Sequence, residues 1–289
     1  MNRAVDALRL GIEHLGPLES PVMVIALRGW FDVSGAASSA VEHLVAGRTS
    51  VTVAEIDADP FFDFTQQRPM IHITDGLVSD IDWPTCQIAV SRGDGRDLVI
   101  VTGVEPHLHW RTWSDHLITV ARRLDCEAVV TVGAAAEAVP HTRAPSVTGS
   151  TTNDELARRL GLSAPSYQGI TGIVGVLQGS LDTAGIPAVS LRVGIPHYLM
   201  HTDHPQAVAA LATHLAHVLG IGTTGVDTDD LEHWREIHDE VVDEDRQLML
   251  YVQMLEQDHD RRAEAQIPSA DDLGAQFEEF LRDQRSDDD

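Results

Sequence analysis

Apolar runs closed by glycine or proline alternate along this chain with stretches whose apolar side chains recur every three or four positions. The continuous run 21–27 predicts a strand buried on both faces. Runs at 51–56, 86–90, 98–101, 128–132 and 187–193 predict further strands, the last two ending at Gly133 and Gly194. Gly93-Asp94-Gly95 predicts a hairpin turn between two of them. Residues 60–83 are rich in Phe, Pro, Asp and Trp, and Met70-Ile71-His72-Ile73 predicts a short strand within a hairpin excursion. Helical spacing predicts a helix through Trp113, Leu117, Val120 and Leu124 and another over 172–184.

Helix boundaries follow from capping chemistry. Ser34 is expected to cap a small-residue helix running to about Val45, and Thr152-x-x-Glu155 reads as a capping box for a short helix that Gly161 stops. Asp203-His204-Pro205 opens a helix with Val208, Leu211, Leu215 and Val218 on its buried stripe, and Gly220 ends it. The order of elements predicts an α/β fold: a three-layer mixed sheet with helices on both faces. No repeat of fixed period is visible.

Beyond a glycine- and threonine-rich linker at 220–225 the pattern becomes helical throughout. Trp234, Val241, Leu248 and Leu255 recur every seven residues; Ile237, Tyr251 and Val252 widen the stripe, and His238, Glu244 and Asp245 interrupt it. Such an amphipathic helix is expected to dock on its own domain or subunit, or else on another chain. Ile267-Pro268 should break it, and Ser269-x-x-Asp272 should restart a helix with Leu273, Phe277, Phe280 and Leu281 on one face, frayed at 286–289. Two domains are therefore expected: an α/β domain at 1–222 and a helical C-terminal extension at 223–289.

Charge separates the same two regions. Residues 1–222 hold 23 acidic residues and 14 Arg, a net of −9; residues 223–289 hold 22 acidic residues and 6 Arg, a net of −16, of the total −25. That balance argues against nucleic acid and anionic membranes as partners, because both reward cationic side chains. The chain is free of lysine, as an Arg-favouring GC-rich genome would make it. No apolar run approaches the ~20 residues of a membrane span. No signal peptide is expected, because Met1 to Leu10 carries Arg3, Asp6 and Arg9. Cys86 and Cys126, the only cysteines, read as buried thiols of a reducing cytoplasm.

Candidate chemistry lies at three turns that follow strand-like runs: Gly103-Val104-Glu105-Pro106 with Trp110-Arg111, Val139-Pro140-His141-Thr142-Arg143, and Gly194-Ile195-Pro196-His197-Tyr198. In open α/β sheets such edges are where ligands meet the protein. Glu105, held extended by Pro106, reads first as an ion pair with Arg111, and alternatively as a ligand-binding carboxylate or a base. His141 and Arg143 suit a pinned loop, or an anion held by the guanidinium fork. His197 and Tyr198 suit a pocket or an oligomer interface equally. The 15 His show neither HExxH nor finger spacing, so neither a metal nor a cofactor is expected. No GxSxG elbow and no P-loop lysine is present.

Together with Thr171-Gly172-Ile173, and in this order, the three turns resemble the proteasome assembly chaperone 2 family, in its bacterial branch with a helical C-terminal extension. The resemblance covers roughly residues 20–260. It implies a phosphorylase/hydrolase-like α/β fold, a homo-oligomer (a trimer being one option), and a chaperone or scaffold role with a proteasome-related or other protein partner. Archaeal relatives end in a hydrophobic-Tyr-any tail that docks on the proteasome α-ring. This chain ends Ser286-Asp287-Asp288-Asp289, so that docking mode is not expected. The expected function is thus non-enzymatic. The alternative is a small-molecule-binding or hydrolase/phosphorylase-like pocket around Glu105, Arg143 and His197, with Arg111, His141, Thr171 and Tyr198 as further ligand or interface candidates.

Overall fold

A computed structural model describes residues 6–222 and 228–266. They form two compact units. One contains the chain up to Glu137 together with Ala144–Trp234; the other joins Ala138–Arg143 to the chain from Arg235 onward.

The first unit holds strands β1 (Leu8–Leu10), β2 (Val22–Arg28), β3 (Thr49–Ile56), β4 (Met70–Thr74), β5 (Leu77–Asp82), β6 (Cys86–Arg92), β7 (Leu98–Val104), β8 (Ala128–Glu137), β9 (Val147–Ser150) and β10 (Ala188–Pro196). Its helices are α1 (Ala36–Val45), α2 (Trp110–Arg123), α3 (Asp154–Leu160), α4 (Ile173–Thr183) and α5 (Pro205–Leu219). Eight strands make one mixed sheet in the order β1-β3-β6-β7-β2-β8-β10-β9, while β4 and β5 pair only with each other. The centre, β7-β2-β8-β10, is parallel; the flanks are antiparallel.

The apolar run of β2 explains why it is central. Met23, Ile25 and Leu27 enter the core beneath α2 and α4, and Val22, Val24 and Ala26 enter the core beneath α1 and α5. A strand apolar at every position has no face to give to water, so it needs helices on both sides. The helices answer with matching stripes. Trp113, Leu117 and Val120 of α2 and Ile173, Leu177 and Leu181 of α4 are buried on one side. Leu211 and Leu215 of α5 are buried on the other. The three-layer α/β arrangement is the one the sequence predicts.

Several local expectations change. Asp32, not Ser34, caps α1: its Oδ1 accepts from Ala37 N at 2.7 Å and Ser38 N at 3.3 Å, and its Oδ2 from Ser38 Oγ at 2.7 Å. Ser34 lies in a preceding 3-10 turn. Asn153 rather than Thr152 caps α3, accepting from Glu155 N and Leu156 N, while the Thr152 hydroxyl donates to Asp182. The buried face of α5 includes Ala207, Ala212, Ala216 and Leu219, with Val208 and Val218 at its margin. β1 and β9 carry no pattern strong enough to announce them.

The largest revision concerns the glycines taken as strand ends. β8 continues past Gly133 to Glu137 and β10 past Gly194 to Pro196, the two paired through Gly194↔Ala135 and Pro196↔Glu137. These residues are glycine because another group lies against them. A Cβ on Gly133 would sit 2.8 Å from Phe31 Cζ, and one on Gly194 would sit 2.7 Å from Glu137 Oε2. Gly103, with φ +152°, likewise lies inside β7, under the Thr85 carbonyl.

The C-terminal helix divides in two, α6 (Thr228–Glu244) and α7 (Arg246–Gln266). Asp245 separates them and caps α7, its Oδ1 accepting from Gln247 N at 2.8 Å and Leu248 N at 3.2 Å. The seven-residue stripe is correspondingly interrupted: Leu255 is buried but Val241 is exposed, and Val242 is buried in its place. Trp234 belongs to the first unit, where its indole N–H donates to the Asp203 carbonyl at 2.7 Å and its ring lies 4.3 Å from that of His204. The expected break at Ile267-Pro268 and the helix bearing Leu273, Phe277, Phe280 and Leu281 lie outside the described residues.

Gly103→Ala tests the crowding. The added Cβ meets the Thr85 carbonyl and comes within 2.8 Å of Cys86 Cα. The expected loss is about 2–4 kcal/mol, read from the urea midpoint at unchanged slope. A change under ~0.5 kcal/mol would refute the close approach.

Candidate functional site

The first turn is built around Glu105. Its N–H donates to the Arg28 carbonyl at 2.9 Å, which brings its side chain back over the end of β2. Oε2 accepts from Trp30 N at 3.1 Å and Oε1 from Phe31 N at 3.2 Å. Gly29, at φ +153°, permits this: a Cβ there would lie 2.8 Å from Glu105 Cδ. Burial pushes the Glu105 carboxyl above its ordinary value, and the two backbone N–H groups oppose that rise. Both oxygens are therefore engaged in fixing a loop.

That loop reaches two further elements. Phe31 lies over Gly133 and its carbonyl accepts from Ala134 N at 2.8 Å. Trp30, 68% exposed, rests against Gly172 at the start of α4. Thr171 precedes that glycine; it is exposed, with its hydroxyl 3.4 Å from the Gly172 carbonyl. The structure thus connects Glu105 to the neighbourhood of Thr171 through Gly29, Trp30 and Phe31.

The expected ion pair between Glu105 and Arg111 is absent. Arg111 is exposed in the first turn of α2, with no ion-pair partner among the described residues. The backbone N–H groups of Trp30 and Phe31 occupy the carboxylate, and the Trp110 indole donates instead to the Pro106 carbonyl at 2.6 Å.

The second turn lies in the second unit and is held by its helices. The guanidinium of Arg143 binds Asp260 through two bonds, Nε to Oδ1 at 2.9 Å and Nη2 to Oδ2 at 2.8 Å, and Nη1 reaches Glu256 Oε1 at 3.1 Å. Thr142 Oγ1 donates to the same Glu256 oxygen at 2.5 Å. The fork is filled by carboxylates of the chain itself, which is the pinned-loop role and leaves no open guanidinium edge for an added anion. The Arg143 hydrogen bonds hold the Asp260 carboxyl down at about 2. His141 is buried, with Nε2 3.2 Å from Asp239 Oδ1 and its ring beside that of His238. Burial lowers the His141 pKa despite the opposing pull of Asp239.

At the third turn His197 Nδ1 lies 3.2 Å from the Glu137 carbonyl, and the Tyr198 ring meets the His197 ring edge-on at 5.6 Å. The Glu137 carboxylate covers Gly194 and pairs with Arg192 at 3.1 Å.

A half-open cavity of about 240 Å³ lies at the carboxyl ends of β2 and β7, beside Gly103 of the first turn. Arg28, Ser38, Glu42, Trp83, Gln87 and Thr102 line it, and none of the seven sequence-derived candidates does. Residues on four separate chain segments make it, with no shared motif to reveal them. Cys86 and Cys126 are not nucleophiles: burial pushes each thiol up to about 12. Among the described residues no group of three or more His, Cys, Asp or Glu side chains could hold a metal, and no helix is long and apolar enough to cross a membrane.

Comparison with known proteins places these turns in context. The model of the PAC2 family matches residues 26–245. A PAC2 family protein from Streptomyces avermitilis is 38% identical, with 80% of this chain and 99% of that one covered at a TM-score of 0.74. A proteasome-assembly chaperone homologue from Mycobacterium tuberculosis gives the same identity, coverage and TM-score. An archaeal proteasome activator from Pyrococcus furiosus, 16% identical with 82% of this chain and 97% of that one covered, shares the fold at a TM-score of 0.62. Comparison with curated proteins gives no match.

Two substitutions test the turns. Glu105→Ala removes both acceptors of the Trp30–Phe31 loop, and a loss of about 2 kcal/mol is expected. Glu105→Gln, which keeps one acceptor and carries no charge, should cost less; equal stability of wild type and the alanine variant would contradict the clamp. His141, whose folded pKa is lowered from 6.5, contributes stability that is complete above pH 6.5 and declines as pH falls through the lower folded value. His141→Asn should flatten that decline in denaturation midpoints measured between about pH 8 and 5. An unchanged slope would mean that this ring is not the titrating group.

Proposed function

The chain belongs to the PAC2 family, and on that premise we propose that it is a non-enzymatic, homo-oligomeric chaperone or scaffold for protein complexes. The observation that carries this reading is the likeness to the mycobacterial proteasome-assembly chaperone homologue, extending over four-fifths of the chain. A proteasome-related assembly is the partner class that likeness favours. We assign residues 1–222 to the α/β domain and residues 223–289 to an acidic helical extension, with the cytoplasm as the working compartment.

The chemistry of the turns agrees with recognition rather than catalysis. Glu105 is occupied by two backbone N–H groups, and Arg143 by two carboxylates. The protonated cysteines supply no nucleophile. A hydrolase- or phosphorylase-like pocket around Glu105, Arg143 and His197 gains no support from the cavity, whose walls are other side chains. The net charge of −25 disfavours nucleic acid and anionic lipid as alternatives to a protein partner.

Affinity purification of the full chain from its native cells, at low ionic strength, tests the proposal. Proteasome subunits or another multi-subunit assembly are expected in stoichiometric amounts, with recovery falling as salt rises because the extension is so acidic. Recovery of the chain with no stable partner under these conditions would overturn the chaperone reading.

A further inference from the structure

The cavity beside Gly103 has a floor set by strand register. Ala26 of β2 pairs with Thr102 of β7, and Thr102 with Gln87 of β6, so the three side chains lie in a row on one face of the sheet. It is the face on which Val24 and Ile100 pack in the core beneath α1. There α1 packs over β2 and β8, and the row turns polar as it leaves that cover. One flank of α1 makes a wall, since Ser38 and Glu42, four residues apart, share it. The Trp83 ring makes another and is met edge-on by Phe64 at 5.0 Å. Arg28, two positions past Ala26, adds its side chain from the same face of β2.

The polar groups of this cavity divide into engaged and open ones. Ser38 Oγ is engaged, donating to Asp32 Oδ2 at 2.7 Å. The side chains of Arg28, Glu42, Gln87 and Thr102 make neither a hydrogen bond nor an ion pair among the described residues. A cation and an anion thus line one hollow without pairing with each other. We propose that this cavity binds a free α-amino acid, with its carboxylate on the Arg28 guanidinium and its ammonium on the Glu42 carboxylate. Charge selects that class. A simple anion would be repelled by Glu42 and a simple cation by Arg28, while the end of a polypeptide carries only one of the two charges. The guanidinium fork suits a carboxylate through two parallel bonds, and an ammonium gains further from the Trp83 ring. Gln87 and Thr102 add donors and acceptors on the floor. Size agrees: the volume of about 240 Å³ is below the ~300–1,000 Å³ of sites for drug-sized ligands. The inference goes beyond the scaffold reading and does not rest on it.

Isothermal titration calorimetry of the full chain with each proteinogenic α-amino acid tests the site. At least one is expected to bind saturably, one molecule per chain. Its N-acetyl and carboxamide forms, each lacking one charge, should bind about 10–100-fold more weakly. The free amino acid should lose affinity by a similar factor, about 10–100-fold, in Arg28→Gln and in Glu42→Gln. Both side chains are exposed, so the unliganded variants should melt like the wild type. If a variant does not fold, the comparison of free and capped ligands on the wild type decides the matter alone. Absence of binding by every amino acid overturns the proposal. So does a capped form that binds as tightly as the free one, because the site then does not read both charges. Affinity retained in either folded variant overturns it too, because the ligand then sits elsewhere or uses only one of the two groups. None of these outcomes bears on the recovery of protein partners, which tests the scaffold reading separately.

Discussion

A carboxylate laid across a glycine organises the carboxyl edge of the central sheet. Glu105 can accept from Trp30 N and Phe31 N only because Gly29 has no side chain to keep it away. The loop so fixed sends Phe31 onto Gly133 of β8 and Trp30 onto Gly172 before α4, so four elements are registered by one side chain and three missing ones. The same device recurs at the third turn, where the Glu137 carboxylate lies over Gly194. Close packing of this kind leaves little room for adjustment, and a single methyl group is enough to disturb it.

The second unit relies on a different principle. Here a short segment, 138–143, is held to helices far along the chain by an arginine–carboxylate fork and polar side-chain hydrogen bonds. Arg143 and Asp260 are 117 residues apart in sequence, and His141 and Asp239 are 98 apart. Because the arginine fork meets a carboxylate through two parallel bonds, the geometry is directional as well as attractive. The residues that in isolation look like an anion site are therefore answered from within the chain.

The parts of the fold that local pattern determines are legible in the sequence. Strands such as β2 are buried on both faces and must be apolar at every position, so they announce themselves. The turn at Gly93-Asp94-Gly95 is read from its glycines, and a hairpin excursion within 60–83 with a short strand at Met70–Ile73 from its composition. Helix starts are read to within a residue or two, but the capping side chain is misassigned twice. Ser34 beside Asp32, and Thr152 beside Asn153, offer equivalent oxygens, and backbone angles choose between them. Glycines are harder, because a strand end and a crossing ring or carboxylate leave the same letter. Phe31 and Gly133 lie about a hundred residues apart, and no local pattern encodes that contact. The pairing of Glu105 with nearby Arg111 fails for the same reason: sequence proximity favoured the arginine, whereas the fold brought two backbone donors nearer.

Cys86 is buried, whereas Cys126, also expected to be buried, is only half-buried, and their shielding has a practical corollary. With each thiol pushed up to about 12, almost none of either sulfur is thiolate at neutral pH, and alkylating reagents act on thiolate. A cysteine introduced on the surface would react faster than either native one. Fluorophores, spin labels or crosslinkers can therefore be directed to one chosen position while both native sulfurs stay in place.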